Sequence, residues 1–175
     1  IAARTPVADL RWVMVHLQGA TSTELARIRQ LRVSATTNPI SYLWRSGAEE
    51  AAKARNPEEL LPHRSLARHR IPFAIATDNK PPNPWRAFAS VVERRDMKTG
   101  VVLGARERLS RLDALRSLTT SGAWLTFAEG ERGVLTPGYL ADLAVLDVDP
   151  LRAPMDEVAE IRARMTMVGG RVIHG

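Results

Sequence analysis

Three short apolar stretches alternate with helix-like segments in the first part of the chain. They cover residues 11–18 (RWVMVHLQ), 32–39 (RVSATTNP) and 71–78 (IPFAIATD). Strands that are apolar on both faces and alternate with helices are typical of a parallel sheet with helices packed against it. This alternation predicts an α/β fold, and it limits the possible architectures more than any other feature of the sequence.

Helix signals lie between and after these stretches. Thr21 and Glu24 have capping-box spacing, and the residues that follow them are apolar at helical intervals. Ser110 and Asp113 repeat this spacing at the start of a predicted helix over residues 110–129. The residues expected to share its apolar face are Leu112, Leu115 and Leu118.

Other segments are predicted from their composition. The aromatic stretch around Tyr42, Trp44 and Arg45 is expected to be a loop, followed by a polar helical stretch within residues 47–61 (GAEEAAKARNPEELL). Residues 79–85 (NKPPNPW) contain three prolines, which predicts that they form no regular structure.

The chain becomes rich in strand signals after about Gly130. Pro137 and Gly138 suit the centre of a type II turn, because glycine accepts positive φ at the third position. Gly169 and Gly170 suit a two-residue hairpin. We therefore expect one domain over residues 1–130 and a second, smaller unit over residues 131–175.

Composition excludes some function classes and leaves others open. The chain has 175 residues and no cysteine, so disulfides and thiolate metal sites are excluded. No apolar run approaches the length of a membrane span. The net charge is +6, but basic residues are mostly interleaved with acidic ones and form no aromatic-interleaved stripe. A solvated surface is thus favoured over a nucleic-acid-binding module. Homo-oligomerisation stays open, and the compartment is undetermined, with the cytoplasm as the working expectation.

Two polar residues stand at the ends of predicted strands. His16 lies near the C-terminal end of the first apolar stretch, and Asp78 ends the third. In parallel α/β proteins, ligands bind at the C-terminal ends of strands. Imidazole and carboxylate groups are ordinary ligands of Zn²⁺ and related metals. From the residues alone, a core histidine and an aspartate that caps the next helix are the favoured interpretations, because two residues do not make a metal site.

A longer segment resembles a known family. Residues 135–151 (LTPGYLADLAVLDVDPL), with SRLDALRSLTTSGA before and MTMVGGRVIHG after, resemble the C-terminal end of the amidohydrolase superfamily. Within it, they resemble the amidohydrolase-3 (YtcJ-like) group. Residues 11–39 are similar to the sixth and seventh barrel strands of this group, and residues 71–79 are similar to the eighth.

The resemblance implies a fold and a chemistry. It implies the C-terminal part of a metal-dependent (β/α)₈ barrel, about strands six to eight, plus part of a small composite β-lobe. It also implies a hydrolase acting on amide-like C–N bonds with one or two divalent metal ions, and Zn²⁺ is the expected metal. His16 and Asp78 stand where the family has metal ligands, and Asp78 would be the catalytic base. Trp44 and Asn79 are the expected substrate-binding residues, with Tyr42 and Trp85 in the same loops.

Some family positions are changed and others are missing. Val15 stands where the family usually has Glu, Thr77 where it has Ser, and Tyr139 where it has Lys. The family's His-x-His pair, its lysine or acid from a middle strand and its fifth-strand histidine have no counterpart here. A full barrel needs about 250 residues. We therefore expect a C-terminal portion whose N-terminal half comes from the same parent chain or a separate subunit.

The remaining polar candidates are expected to be structural. Asp142 is predicted to accept backbone N–H groups at a strand entry, as aspartates near turns do. His63 and His69 lie in a basic helical stretch, and His174 lies in the terminal strand; none is expected to bind metal. The alternatives to a hydrolase are a catalytically inactive scaffold fragment and, less favoured, a nucleic-acid-binding module.

Overall fold

A parallel sheet forms the centre of the first part of the molecule. The computed structural model describes residues 7–78 and 82–175. Strands β1 (Val13–Met14), β2 (Ser34–Thr37) and β3 (Phe73–Ile75) pair in that order, both pairs in parallel. The predicted α/β fold is confirmed.

Helix α1 (Ser22–Gln30) connects the first two strands. Its N-terminus carries the predicted capping box: the Thr21 hydroxyl accepts the Glu24 backbone N–H, and the Glu24 carboxylate accepts the Thr21 N–H at 2.7 Å. Leu25 and Ile28 face the sheet and are buried. Their spacing fixes which side of α1 packs inward.

Four short helices connect β2 to β3. They are a π-helix (Ile40–Arg45), α2 (Gly47–Lys53), a 3₁₀ helix (Pro57–Glu59) and α3 (His63–Arg68). The expectation of a loop around Trp44 is wrong, because these residues form the π-helix. Ile40 and Leu43 are fully buried there, and this burial favours a compact helical turn over an open loop.

Helix α4 (Pro84–Glu93) is the most buried helix of the core, and the sequence argument missed it. Pro84 occupies the first helical turn, where a missing N–H costs nothing. The Asn83 side chain accepts the N–H groups of Trp85 and Arg86, which caps the helix. The prediction of irregular structure is therefore wrong for residues 84 and 85, and residues 79–81 lie outside the described part.

The long helix predicted after Ser110 is two helices. They are α5 (Arg111–Leu118) and α6 (Thr120–Leu125), separated by Thr119, whose backbone leaves the helical region at φ −117° and ψ −84°. The Ser110 hydroxyl accepts the Asp113 N–H, as predicted. The predicted apolar face is only partly right, because Leu112 is 46% exposed whereas Ala114 and Ser117 are buried. Small residues at these positions let α5 approach α4 and β3 closely.

The last part of the chain forms an antiparallel sheet. Its strands are β4 (Leu143–Leu146), β5 (Ala163–Val168) and β6 (Arg171–His174). Gly169 and Gly170 have φ of 54° and 79° and make the predicted two-residue hairpin. Gly138 has φ of 93°, and the Tyr139 N–H bonds the Thr136 carbonyl, as the predicted turn requires.

Helix α7 (Met155–Ala159) lies between β4 and β5 and packs on α4. Val158 and Ile161 join the main core, which also contains Phe88 and Val91 of α4. The two parts of the chain thus share one hydrophobic cluster, and the boundary near residue 130 stays a prediction. In the residues that the structure describes, no helix is long and apolar enough to cross a membrane.

Candidate functional site

The parallel sheet brings three polar residues to one edge. His16, Asn38 and Asp78 follow β1, β2 and β3, respectively, within three residues of each strand end. Backbone hydrogen bonds continue the pairing beyond the strands, from the Leu17 N–H to Thr36 O and from the Ala76 N–H to Thr37 O. Because the strands are parallel, their C-terminal ends meet at the same edge, where α/β proteins bind ligands.

His16 and Asp78 have similar backbone conformations. Their φ angles are 59° and 58°, in the left-handed region, and both side chains are exposed. Residues other than glycine adopt this backbone conformation infrequently, and those that do cluster at functional sites. The strands that carry them flank β2, so their backbones are separated by two interstrand spacings, about 10 Å.

Asn38 connects the middle strand to Asp78. Its Nδ2 donates to Asp78 Oδ2 at 3.0 Å. The side chain is only 1% exposed, and among the residues that the structure describes none donates a hydrogen bond to its Oδ1. A carboxylate accepts hydrogen bonds, so the atom that faces Asp78 is the amide nitrogen and the orientation of the Asn38 amide is fixed.

A buried chain of polar contacts lies immediately behind this edge. Thr37 Oγ1 is 2.8 Å from His63 Nε2, and His63 Nδ1 is 3.3 Å from Arg94 Nη1. All three residues are fully buried. Burial and the neighbouring Arg94 charge hold the pKa of His63 well below its usual range, so this imidazole is neutral.

Arg94 is held by main-chain carbonyls. Its Nε donates to Leu103 O, Nη1 to Leu61 O and Nη2 to Leu60 O, at 2.6, 3.0 and 2.5 Å. Burial lowers the pKa of Arg94 to about 10, so the guanidinium remains charged at neutral pH. Its hydrogen bonds tie the segment before α3 to the loop after α4.

The other predicted site residues lie in mixed environments. Trp44 packs against the main core, and the guanidinium of Arg86 lies 4.8 Å from its ring centroid. It borders a cavity of about 290 Å³ that Met97 and Met155 also line. Asn79 lies outside the described residues. The assignment of Trp44 and Asn79 to substrate binding stays a prediction.

The side chains at the C-terminal ends of β1 and β3 are of the chemical types that bind metals. Imidazole nitrogen and carboxylate oxygen are both zinc ligands, and His16 and Asp78 present them at the edge where ligands bind. Within the described residues, however, no group of three or more histidine, aspartate or glutamate side chains is arranged to hold a metal ion. Catalytic zinc sites use three protein ligands and a water, so His16 and Asp78 by themselves do not complete one.

Asp142 has the predicted structural contact. Its Oδ1 accepts the Gly169 N–H at 2.7 Å, and Arg132 Nη1 lies 3.6 Å from its Oδ2. Asp142 therefore holds the β5–β6 turn at the entry to β4, and the prediction of a backbone acceptor is confirmed. His174 Nε2 lies 3.1 Å from Ala163 O, which ties β6 to the start of β5.

Sequence reasoning missed three polar residues near the site. Asn38 lies at the C-terminal end of the predicted strand stretch over residues 32–39, so the rule that identified His16 and Asp78 also applies to it. Thr37 and Arg94 carried no such signal. Arg94 stands in a charged stretch (VVERRDMK) that is typical of a solvated surface.

Comparison with known proteins assigns the family. The sequence model of the Amidohydrolase family matches residues 2–174. The chain belongs to the amidohydrolase family. This assignment confirms the resemblance inferred from the residues around Pro137 and Asp142.

Individual relatives have low sequence identity to this chain and are longer than it. The chain is 28% identical over 179 residues to protein LONG AFTER FAR-RED 3 of Arabidopsis thaliana, covering 99% of this chain and 30% of that protein. It is 26% identical over 173 residues to an N-substituted formamide deformylase of Arthrobacter pascens, covering 93% of this chain and 31% of that protein. The chain thus spans about a third of the length of these relatives.

A solved structure shows the same fold. An adenosine deaminase from Xanthomonas campestris with bound zinc superposes with a TM-score of 0.70 at 19% identity, covering 98% of this chain and 39% of that one. At this identity the likeness concerns the fold alone. The α/β arrangement is therefore shared with this adenosine deaminase structure.

Proposed function

We propose that this chain is the C-terminal portion of a metal-dependent hydrolase acting on amide-like C–N bonds. The observation that carries the proposal is the placement of His16 and Asp78 beyond two strands of one parallel sheet in an amidohydrolase-family chain. The deformylase relative, named for N-substituted formamides, supports a C–N substrate. We further propose that β1, β2 and β3 are strands six to eight of a (β/α)₈ barrel.

The metal ligands of this chain would be His16 and Asp78. Zinc, when bound, supplies a water of lowered pKa and polarises a carbonyl oxygen. The N-terminal half of the barrel would supply the remaining ligands. In this arrangement residues 131–175 are the C-terminal part of a small composite β-lobe.

Asp78 would be the proton-transferring group. Its carboxylate accepts a proton from the attacking water and donates it to the departing nitrogen. Asn38 Nδ2 holds one carboxylate oxygen, which fixes the orientation of the group. His16 would hold a second metal ion, or would orient the attacking water if a single ion is bound. Trp44 and Asn79 would contact the substrate.

The experiment uses the full-length protein, purified with zinc, and a panel of N-substituted formamides and N-acyl amines. Amine release is measured by fluorescamine. Asp78→Asn is expected to lower kcat about 10²- to 10⁴-fold while the fold is retained, because an amide cannot act as a base.

Asp142→Asn is the matched control. It removes a carboxylate that contacts a turn and Arg132, so it should lower the melting temperature and leave kcat unchanged. Wild-type kcat in Asp78→Asn would contradict the role of Asp78. A wild-type protein that releases no amine from any compound would instead favour the scaffold alternative.

A further inference from the structure

The buried contacts of His63 join the interior of the molecule to the candidate site. We propose that His63 is a positioning residue. Arg94 holds its imidazole in one neutral tautomer, and in this tautomer His63 holds the C-terminal end of β2 in place. The position of β2 in turn sets the geometry of the Asn38–Asp78 hydrogen bond. The inference rests on the proposed function in that Asp78 is taken as the reacting carboxylate. The contacts themselves do not depend on it.

The partners of His63 determine its tautomer. A guanidinium only donates hydrogen bonds, so Nδ1, at 3.3 Å from Arg94 Nη1, has to be the acceptor. A neutral imidazole carries a single proton, and that proton is therefore on Nε2. Nε2–H then donates to Thr37 Oγ1 at 2.8 Å. Each ring nitrogen thus has one assigned partner and one assigned role.

Thr37 transmits this contact to the site because it is the last residue of β2. Its side chain is held by His63, and its carbonyl accepts the Ala76 N–H at 2.8 Å, which ties β2 to the chain leaving β3. The next residue is Asn38, whose Nδ2 reaches Asp78 Oδ2. The positions of both partners in this last bond therefore depend on the end of β2.

A packing role alone does not explain these residues. The His63 ring does lie beside Phe73, with centroids 5.8 Å apart, and this contact needs no ring nitrogen. Instead, a buried cation and a buried imidazole are paired through their polar atoms. Burying polar groups costs free energy unless they are hydrogen-bonded, so the nitrogens of His63 matter to this arrangement.

The first test observes the tautomer directly. Full-length protein labelled with ¹⁵N-histidine is examined by two-dimensional NMR of the imidazole nitrogens between about pH 6 and pH 8. The expected result is a neutral His63 with Nε2 protonated and Nδ1 unprotonated. A Nδ1–H tautomer, or an imidazolium in this range, overturns the proposal.

The second test separates positioning from packing. His63→Phe keeps a ring and removes both nitrogens, whereas His63→Gln retains an acceptor for Arg94 and a donor for Thr37. In ¹⁵N-asparagine-labelled protein, His63→Phe should raise the hydrogen-exchange rate of the Asn38 side-chain amide at least about tenfold. His63→Gln should restore most of the protection. His69→Phe, at the half-buried C-terminal cap of α3, is the matched control and should leave the Asn38 exchange rate unchanged.

Kinetics give an independent readout. With a substrate found in the amine-release panel, His63→Phe should lower kcat about 10- to 100-fold with KM little changed, as for groups that orient a metal site, and His63→Gln should recover it. Unchanged Asn38 exchange in a folded His63→Phe protein overturns positioning, even if the hydrolase assignment stands. If no substrate is found, the two NMR measurements still decide the matter.

Discussion

A single residue, Arg11, connects the start of the described chain to the region around the end of α6. The guanidinium of Arg11 lies 4.3 Å from the ring centroids of both Trp124 and Phe127, and its Nη1 donates to Glu129 Oε2 at 2.9 Å. Arg11 thereby ties the residues before β1 to the end of α6. No local sequence pattern indicated this contact, because its partners are more than a hundred residues apart.

The Arg11–Glu129 ion pair predicts that the stability of the folded state depends on pH. The hydrogen bond from Arg11 lowers the pKa of Glu129 to about 2, below its ordinary value of 4.5. A depressed pKa stabilises the folded state above the ordinary value, and this contribution is lost as the pH falls from about 4.5 to about 2. Glu129→Gln in the full-length protein should therefore flatten the decline in melting temperature between pH 5 and pH 2.

The control for this prediction is Glu131→Gln, which removes an exposed carboxylate two residues away. It should leave the pH dependence of the melting temperature as in the wild type. Identical profiles for Glu129→Gln and the wild type would show that the ion pair contributes no stability, as is common for exposed pairs.

At the scale of elements, the helix with the most buried side chains is not the helix with the most regular apolar pattern in the sequence. Helix α4 follows a proline-rich stretch, yet it contributes Ala87, Phe88 and Val91 to the core with no exposed surface. Helix α5 has a regular leucine pattern, yet Leu112 is exposed. Contact with α7 and the π-helix, rather than local propensity, determines which helix is most buried.

This difference is tested by paired truncations. Phe88→Ala removes a fully buried ring that also contacts Trp85, with centroids 6.0 Å apart, and should lower the free energy of unfolding by about 3–5 kcal/mol. Leu112→Ala removes a side chain that is 46% exposed, and the expected cost is below about 1 kcal/mol. Urea denaturation of the two variants provides the comparison, and equal losses would place Leu112 in the core after all.

At the scale of the whole molecule, the described chain leaves apolar surface exposed. In the part that the structure describes, β1 and β3 are the outer strands of the parallel sheet. Trp12, Met14 and Val15 along β1 are 52%, 42% and 67% exposed. Val172 and Ile173 of β6 are similarly exposed, at 56% and 65%. Exposed edges of apolar strands promote association with other chains.

A prediction about residues 1–175 expressed alone follows from these edges. The lone chain should self-associate in size-exclusion chromatography and hold little zinc by atomic spectroscopy, because barrel closure normally removes such edges and zinc takes four ligands. Co-expression with the N-terminal half of the parent protein should restore both a single elution peak and bound zinc. A monomeric lone chain with tightly held metal would contradict the incomplete-site argument.

The sequence by itself determined the features that depend on neighbouring residues. The Thr21–Glu24 capping box, the Pro137–Gly138 turn and the Gly169–Gly170 hairpin each follow from bonds or φ angles within four residues. The alternation of the first three strands with helices, and hence the placement of His16 and Asp78 at one edge of a parallel sheet, followed from hydrophobic pattern and strand direction.

Only the tertiary structure decided what meets those strand ends. Asn38 contacts Asp78 across 40 positions, His63 reaches Thr37 across 26, and Arg94 reaches His63 across 31. Such contacts depend on how helices pack over the sheet, and a charged or polar residue has the same local pattern whether it is solvated or buried. Burial and pairing are properties of the folded chain, because they are set by residues that are distant in sequence and adjacent only after folding.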